Sequence, residues 1–114
     1  MSRVLILIAS APGAAARDGV DAALAAIAYG HEVAILLVGD AVTATAGGQS
    51  PQRHGVPDLS RALAACLHHG AVALAASAHC LSVRGIVPSL AGLQQMDAGT
   101  MSNWIGAHAH VHRF

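Results

Sequence analysis

The sequence predicts an α/β fold, a three-layer sandwich in which helices flank a mostly parallel, flavodoxin-like sheet of about five strands. Two apolar runs rich in β-branched residues, "VLILIA" and "VAILLV", are typical of strands buried on both faces of a parallel sheet. Amphipathic segments rich in Ala and Leu separate such runs. A chain of 114 residues fits one domain, so we expect a single domain over residues 1–114.

The first forty residues predict a strand, a helix and a second strand. The first strand covers about 3–9, and the helix runs from about Arg17 to Tyr29 with Gly30 as its stop. The second strand lies within 31–40. This order predicts a right-handed βαβ unit.

The middle of the chain predicts a loop, a helix and a third strand. Gly, Ser, Pro and Gln are concentrated in 43–57, which predicts a surface loop. Pro57 and Asp58 should open a helix that ends near His69, and 71–77 should form the third strand.

The last third of the chain is less regular. A short helix over about 77–85 should follow the third strand, and Ile86–Val87 could start a fourth strand before Pro88 interrupts it. Residues 98–106 predict a last helix, and the alternation in 107–114 predicts a closing strand.

The composition excludes several classes of function. Six arginines balance six acidic residues and lysine is absent, so no basic patch is available to bind nucleic acid. The apolar runs are too short to span a bilayer, which predicts no membrane segment, and we expect no signal peptide at the apolar start. The sequence carries neither GxGxxG nor GxxxxGK[ST], and we expect no cofactor.

The apolar content predicts an oligomer. Apolar residues make up 54% of the chain, and small soluble monomers rarely expose large apolar patches. Part of the surface should therefore be covered by other subunits. The two cysteines are expected to stay reduced in a cytoplasmic protein, because a domain of this size needs no disulfide.

Cys80 is the first candidate for chemistry. Parallel α/β sheets place ligands at the carboxyl ends of their strands, which here include Ser77–Cys80 and Asp40–Thr45. A cysteine in the first turns of a helix has a lowered pKa, and His79 and Arg84 could add positive charge. The alternative is a small buried hydrophobe, the interpretation that Cys66 receives on the apolar face of its helix.

The histidine-rich end, "HAHVHRF", is the second candidate. An extended chain would put His108, His110 and His112 on one face of a strand, and two imidazoles at i and i+2 can hold zinc or nickel with a third ligand from elsewhere. All three would span about 13 Å, too far to share one ion. The alternative is a strand whose histidines face a subunit contact or solvent.

Four short motifs carry a resemblance to a known family. They are "RDG" at 17–19, "GDAV" after the second strand, "CLSVRGI" at 80–86 and the terminal "HRF". Their order and spacing resemble the DsrE/DsrF-like family of sulfur-relay proteins, closest to the TusC/DsrF branch. The resemblance implies a trimer or hexamer of like or related subunits that passes persulfide sulfur between cysteines in the cytoplasm.

The resemblance also locates the acceptor cysteine of the family. It lies eight residues before the glycine of the Arg-Gly ending, and here that position is Ser77. A serine cannot carry a persulfide. The sequence therefore favours a non-catalytic accessory subunit whose partner supplies the cysteine. One alternative is a sulfurtransferase that uses Cys80, and another is a metal- or small-ligand-binding module built on the His108–His112 strand.

Overall fold

The computed structural model describes residues 3–46 and 59–114. Strands and helices alternate along these ranges. In chain order they are β1 (Arg3–Ile8), α1 (Ala14–Ala28), β2 (Glu32–Leu37), a 3-10 helix (Gly39–Thr45), α2 (Leu59–His69), β3 (Ala73–Ser77), α3 (Ala78–Val83), β4 (Leu93–Met96), α4 (Ala98–Gly106) and β5 (His110–Arg113).

The described strands form one five-stranded sheet in the order β4-β3-β2-β1-β5, and every pairing is parallel. The chain moves outward from β1 to β4 one strand at a time and then returns across the sheet to add β5 beside β1. This confirms the predicted α/β class with a parallel sheet of five strands.

Two apolar layers enclose the sheet. On one face Val4, Ile6 and Ile8 pack with residues of α1, α2, α3 and the 3-10 helix. On the other face Leu5 and Leu7 pack with α4, the helix that covers this face in the described part of the chain. The return from β4 to β5 reverses the direction of travel, so right-handed crossovers require α4 to lie on the opposite face.

Helix α1 approaches β1 very closely at Gly19. A Cβ placed there would lie 2.9 Å from Cγ1 of Ile8 and 3.2 Å from Cβ of Phe114. Real Cβ atoms do not sit that close to their neighbours, so the position needs a residue without a side chain. The helix itself begins at Ala14, three residues before the predicted start at Arg17.

The prediction of a surface loop over 43–57 is wrong for its first residues. Residues 39–45 form the 3-10 helix, and Ala41, Val42 and Ala44 are buried in the core. The buried Thr45 hydroxyl donates a hydrogen bond to the Val42 carbonyl at 2.7 Å, which removes the cost of burying it. Residues 47–57 of the predicted loop lie outside the described residues.

The prediction of a strand at Ile86–Val87 is also wrong. Gly85 has a φ of 63° and turns the chain there, and Val87 is 86% exposed. The fourth strand is β4, which carries two exposed glutamines at the edge of the sheet. The predicted helix over 98–106 is confirmed as α4, whereas β5 is shorter than the predicted closing strand.

The described helices are all too short or too polar to cross a bilayer. The longest of the described helices, α1, has 15 residues.

Candidate functional site

The candidate site lies where β2 and β3 end, side by side, at the carboxyl edge of the sheet. Leu37 of β2 pairs with Ala76 of β3. The 3-10 helix follows the first of these strands and α3 follows the second, so the start of each helix lies beside the other. This is the edge at which parallel α/β proteins place their chemistry.

Cys80 lies in the first turn of α3 and faces the start of the 3-10 helix. Its side chain is half-buried, and the backbone N–H of Gly39 donates a hydrogen bond to its Sγ at 3.3 Å. Gly39 has a φ of 56°, a conformation that glycine adopts without strain. The sharp turn after β2 therefore directs a backbone donor at the thiol.

Ser77 caps α3. It is 1% exposed, and its Oγ accepts a hydrogen bond from the backbone N–H of Cys80 at 3.2 Å. Ser is a preferred N-cap residue because its oxygen satisfies one of the free N–H groups of the first turn. Ser77 thus stabilises the start of the helix that carries Cys80.

An ion pair between Arg84 and Asp40 joins the two helices beside Cys80. The Nη2 and Nε atoms of Arg84 lie 2.9 Å and 3.2 Å from Oδ1 of Asp40, and Nη1 donates a hydrogen bond to the Cys80 carbonyl at 3.3 Å. The guanidinium therefore links α3 to the 3-10 helix and brings a positive charge close to Cys80.

These contacts lower the pKa of the Cys80 thiol below its ordinary value. The largest cause is the hydrogen bond with the Ser77 side chain. Partial burial acts in the opposite direction, while the Gly39 N–H and the Arg84 guanidinium also lower the pKa. Each of these donors favours the thiolate, which is the nucleophilic form of cysteine.

Cys66 is in a different environment. It is fully buried in α2 against the core, and burial raises its pKa to about 11. A thiol of this kind stays protonated at neutral pH and packs as an apolar side chain.

The histidines at the end of the chain do not all lie on one strand. His110 and His112 lie in β5 and pair with Val4 and Ile6 of β1. His108 precedes the strand, and its Nδ1 lies 2.6 Å from the carbonyl oxygen of Trp104. The described residues contain no group of three His, Cys, Asp or Glu side chains that could hold a metal ion.

Sequence reasoning identified the segments of the site but missed two of its contacts. It placed Ser77, Cys80 and Arg84 on one short helix and named Asp40–Thr45 as another segment that follows a strand at the carboxyl edge of the sheet. It did not find the Gly39 N–H as a donor to the thiol, nor Asp40 as the partner of Arg84. The glycine directly after an apolar strand was the available signal for the turn.

These features define the class of this protein, a small parallel α/β protein with a cysteine of lowered pKa at the carboxyl edge of its sheet. Within that class, the profile of the DsrE/DsrF-like family matches residues 2–112, and the chain belongs to this family.

One curated relative and one solved structure are similar to this chain. The TusC homolog of Vibrio parahaemolyticus is 45% identical over 53 residues, a match that covers 45% of this chain and 45% of the relative. The crystal structure of the YchN protein from E. coli has the same fold, with a TM-score of 0.87 over 100% of both chains at 22% identity.

Proposed function

We propose that this protein is a cytoplasmic sulfur-relay protein that carries sulfur as a persulfide on Cys80. The observation that carries the proposal is the hydrogen bond from the Gly39 N–H to the Cys80 Sγ at 3.3 Å, in a site that lowers the pKa of the thiol. Family membership supports this proposal, because the resemblance to the DsrE/DsrF-like family implies that sulfur is passed between cysteines as a persulfide.

The transfer step needs only a thiolate and a donor persulfide. The Cys80 thiolate attacks the outer sulfur of the donor, and a new S–S bond forms as the donor S–S bond breaks. The donor leaves as a thiolate, and the outer sulfur, with its proton, is now bound to Cys80. Handing the sulfur to an acceptor thiolate repeats the same exchange with Cys80 as the leaving group.

The residues of the site favour both directions of this exchange. The Gly39 N–H and the Arg84 guanidinium stabilise negative charge on the Cys80 sulfur when it attacks and when it leaves. Half-burial leaves the sulfur within reach of a donor, whereas Cys66 is enclosed by the core.

Intact mass spectrometry tests the proposal. The reduced protein is incubated with a persulfide donor, alongside the Cys66→Ser and Cys80→Ser variants. We expect one added sulfur on the wild type and on Cys66→Ser, and none on Cys80→Ser. Loading that survives in Cys80→Ser, or that is absent from every form, contradicts a carrier role.

A second candidate is an accessory subunit that builds an assembly while a related partner supplies the cysteine. Ser77 favours it, because a capping serine occupies the position of the family's acceptor cysteine. This function predicts no sulfur on either cysteine and co-purification with a related subunit that bears the missing cysteine. A protein that stays strictly monomeric contradicts it.

Both candidates place the protein in an oligomer, either a trimer or hexamer of this chain or a hetero-oligomer with related subunits. Val83 and Val87 support a contact near the site, because they flank Arg84 and are 67% and 86% exposed. Such apolar side chains, exposed at the edge of a site, are typical of protein contacts.

A further inference from the structure

A cleft lies between α1 and the strands β1 and β5, on the face of the sheet that α1 covers. It encloses about 430 Å³, within the range of small-molecule sites. Val4 and Ile6 form its floor, and Ala22 and Ala26 of α1 form one wall. We call it the α1–β5 cleft.

The topology of the sheet explains the cleft. In the described structure α1 packs on β1 and β2, while β5 is added at the outer edge beyond it. His110 and His112 pair with Val4 and Ile6, so alternation of side chains puts them on the face that α1 covers only in part. The small side chains of Ala22 and Ala26 leave this space unfilled.

Most of the polar side chains that line the cleft are histidines, and each imidazole has a ring N–H that can donate a hydrogen bond. Three of the eight histidines of the chain line it, namely His31, His110 and His112. Among the described residues, no Asp or Glu lines the cleft, and His110 and His112 have no hydrogen-bond partner. A ligand that accepts hydrogen bonds from imidazole would therefore satisfy groups that the fold leaves open.

The aromatic residues of the chain are concentrated at the same place. The sequence has one Trp, one Tyr and one Phe, and both Tyr29 and Phe114 line the cleft. Aromatic side chains favour flat apolar groups through edge and face contacts.

We propose that the α1–β5 cleft binds a small organic anion with an aromatic or apolar body, the body lying on the Val4–Ile6 floor and the carboxylate or similar group accepting hydrogen bonds from His110 and His112. This site does not share a lining residue with the Cys80 site. It therefore stands whether or not Cys80 carries sulfur.

The test uses 4-phenylbutyrate and its neutral amide, 4-phenylbutanamide, as probes of the same shape. Each is titrated into the ¹⁵N-labelled full chain while ¹H–¹⁵N spectra are recorded. We expect saturable shifts in the amides of Val4, Ile6, Ala26 and His112. The acid should bind about tenfold more tightly than the amide, the size of one charge-assisted hydrogen bond.

Two variants and a control sharpen the test. The double variant His110→Ala and His112→Ala removes both imidazole donors and should bring the affinity for the acid down to that of the amide. Ala26→Trp fills the cleft and should abolish binding of both probes. His69→Ala changes an exposed histidine at the end of α2 and should leave both affinities unchanged.

Three results would overturn the proposal. The first is the absence of saturable shifts at the cleft. The second is equal affinity for acid and amide, which would remove the role of the imidazoles. The third is that a second copy of the chain fills the cleft. Ala26→Trp would then lower the sedimentation coefficient, and the wild type would bind neither probe.

Discussion

Ser77 and Cys80 have different roles within one helical turn. The Ser77 hydroxyl accepts the Cys80 N–H and so fixes the start of α3, while the thiol faces the Gly39 N–H across the gap between two helices. The same hydroxyl is also the largest cause of the lowered pKa of Cys80. Ser77 thus contributes to both the position and the ionisation of Cys80.

Ser77→Ala should therefore affect stability and reactivity together. Loss of the cap should lower the free energy of unfolding by about 1 kcal/mol. The pKa of Cys80 should rise, so that the profile of iodoacetamide alkylation rate against pH moves to higher pH. The rates are measured on the Cys66→Ser background to isolate one thiol.

Asp97→Ala is the matched control for that change. Asp97 caps α4 by accepting the Thr100 N–H at 2.7 Å, far along the chain from the thiol. Its loss should cost similar stability and leave the alkylation profile of Cys80 in place. An equal shift of the profile in both variants would mean that general loosening, rather than the Ser77 hydroxyl, sets the pKa.

Cys66 should make the protein less stable at alkaline pH. Its pKa is about 11 in the folded chain against an ordinary value of 9.0, so the unfolded chain releases the proton first. The stability that the protonated thiol contributes is complete below pH 9 and is lost as the pH rises toward 11. By pH 10 the loss should be on the order of 1 kcal/mol.

Urea unfolding of Cys80→Ser at pH 8 and pH 10 measures this loss without titration of the site thiol. Adding Cys66→Ala to that variant should remove the Cys66 part of the pH dependence, although the cavity lowers stability at both pH values. If the two proteins lose the same amount between pH 8 and pH 10, Cys66 does not titrate as described.

At the scale of elements, the contact between α1 and β1 is tightly packed at Gly19. Gly19→Ala would place a methyl group 2.9 Å from a carbon of Ile8, which forces a shift in a packed core. We expect the free energy of unfolding to fall by about 1–3 kcal/mol in chemical denaturation.

Gly106→Ala is the comparison for that prediction. Gly106 ends α4, and no described atom lies within 4 Å of the position that its Cβ would take. Alanine is the better helix former, so this change should be neutral or stabilising. A loss of stability equal to that of Gly19→Ala would show that the close contact is not the cause.

The strands that are buried on both faces could be predicted from the sequence, whereas the edge strand β4 could not. The runs of β1 and β2 are almost wholly apolar because the sheet covers them on both sides. β4 has Gln94 and Gln95 exposed at an edge, so neither an apolar run nor an alternation marks it.

The candidate site also has a part that the sequence predicts and a part that it does not. The position of Cys80 near the start of a helix followed from the order of strand and helix, which is local information. The Gly39 N–H that faces it comes from 41 residues earlier in the chain. Only the pairing of β2 with β3 brings the two together, and a backbone donor leaves no side-chain signal in the sequence.

At the scale of the whole molecule, the exposed apolar side chains predict self-association or association with a related chain. Native mass spectrometry of the purified protein should show a trimer or a hexamer if it assembles with itself. Val83→Ser with Val87→Ser should weaken that assembly, because both side chains are exposed beside the site. Val72→Ser, an exposed valine before β3, is the control, and an equal effect there would argue against a contact near Cys80.

The return of the chain across the sheet determines which parts of the molecule unfold together in local fluctuations. α4 connects β4 at one edge to β5 at the other, and no residue of this helix is fully buried. A fluctuation that detaches α4 from the sheet therefore weakens the attachment of both edge strands, β4 and β5, at the same time. The three central strands, still covered by α1 and α2, would persist as the slowest-exchanging unit, and the two distant edges would open and close together.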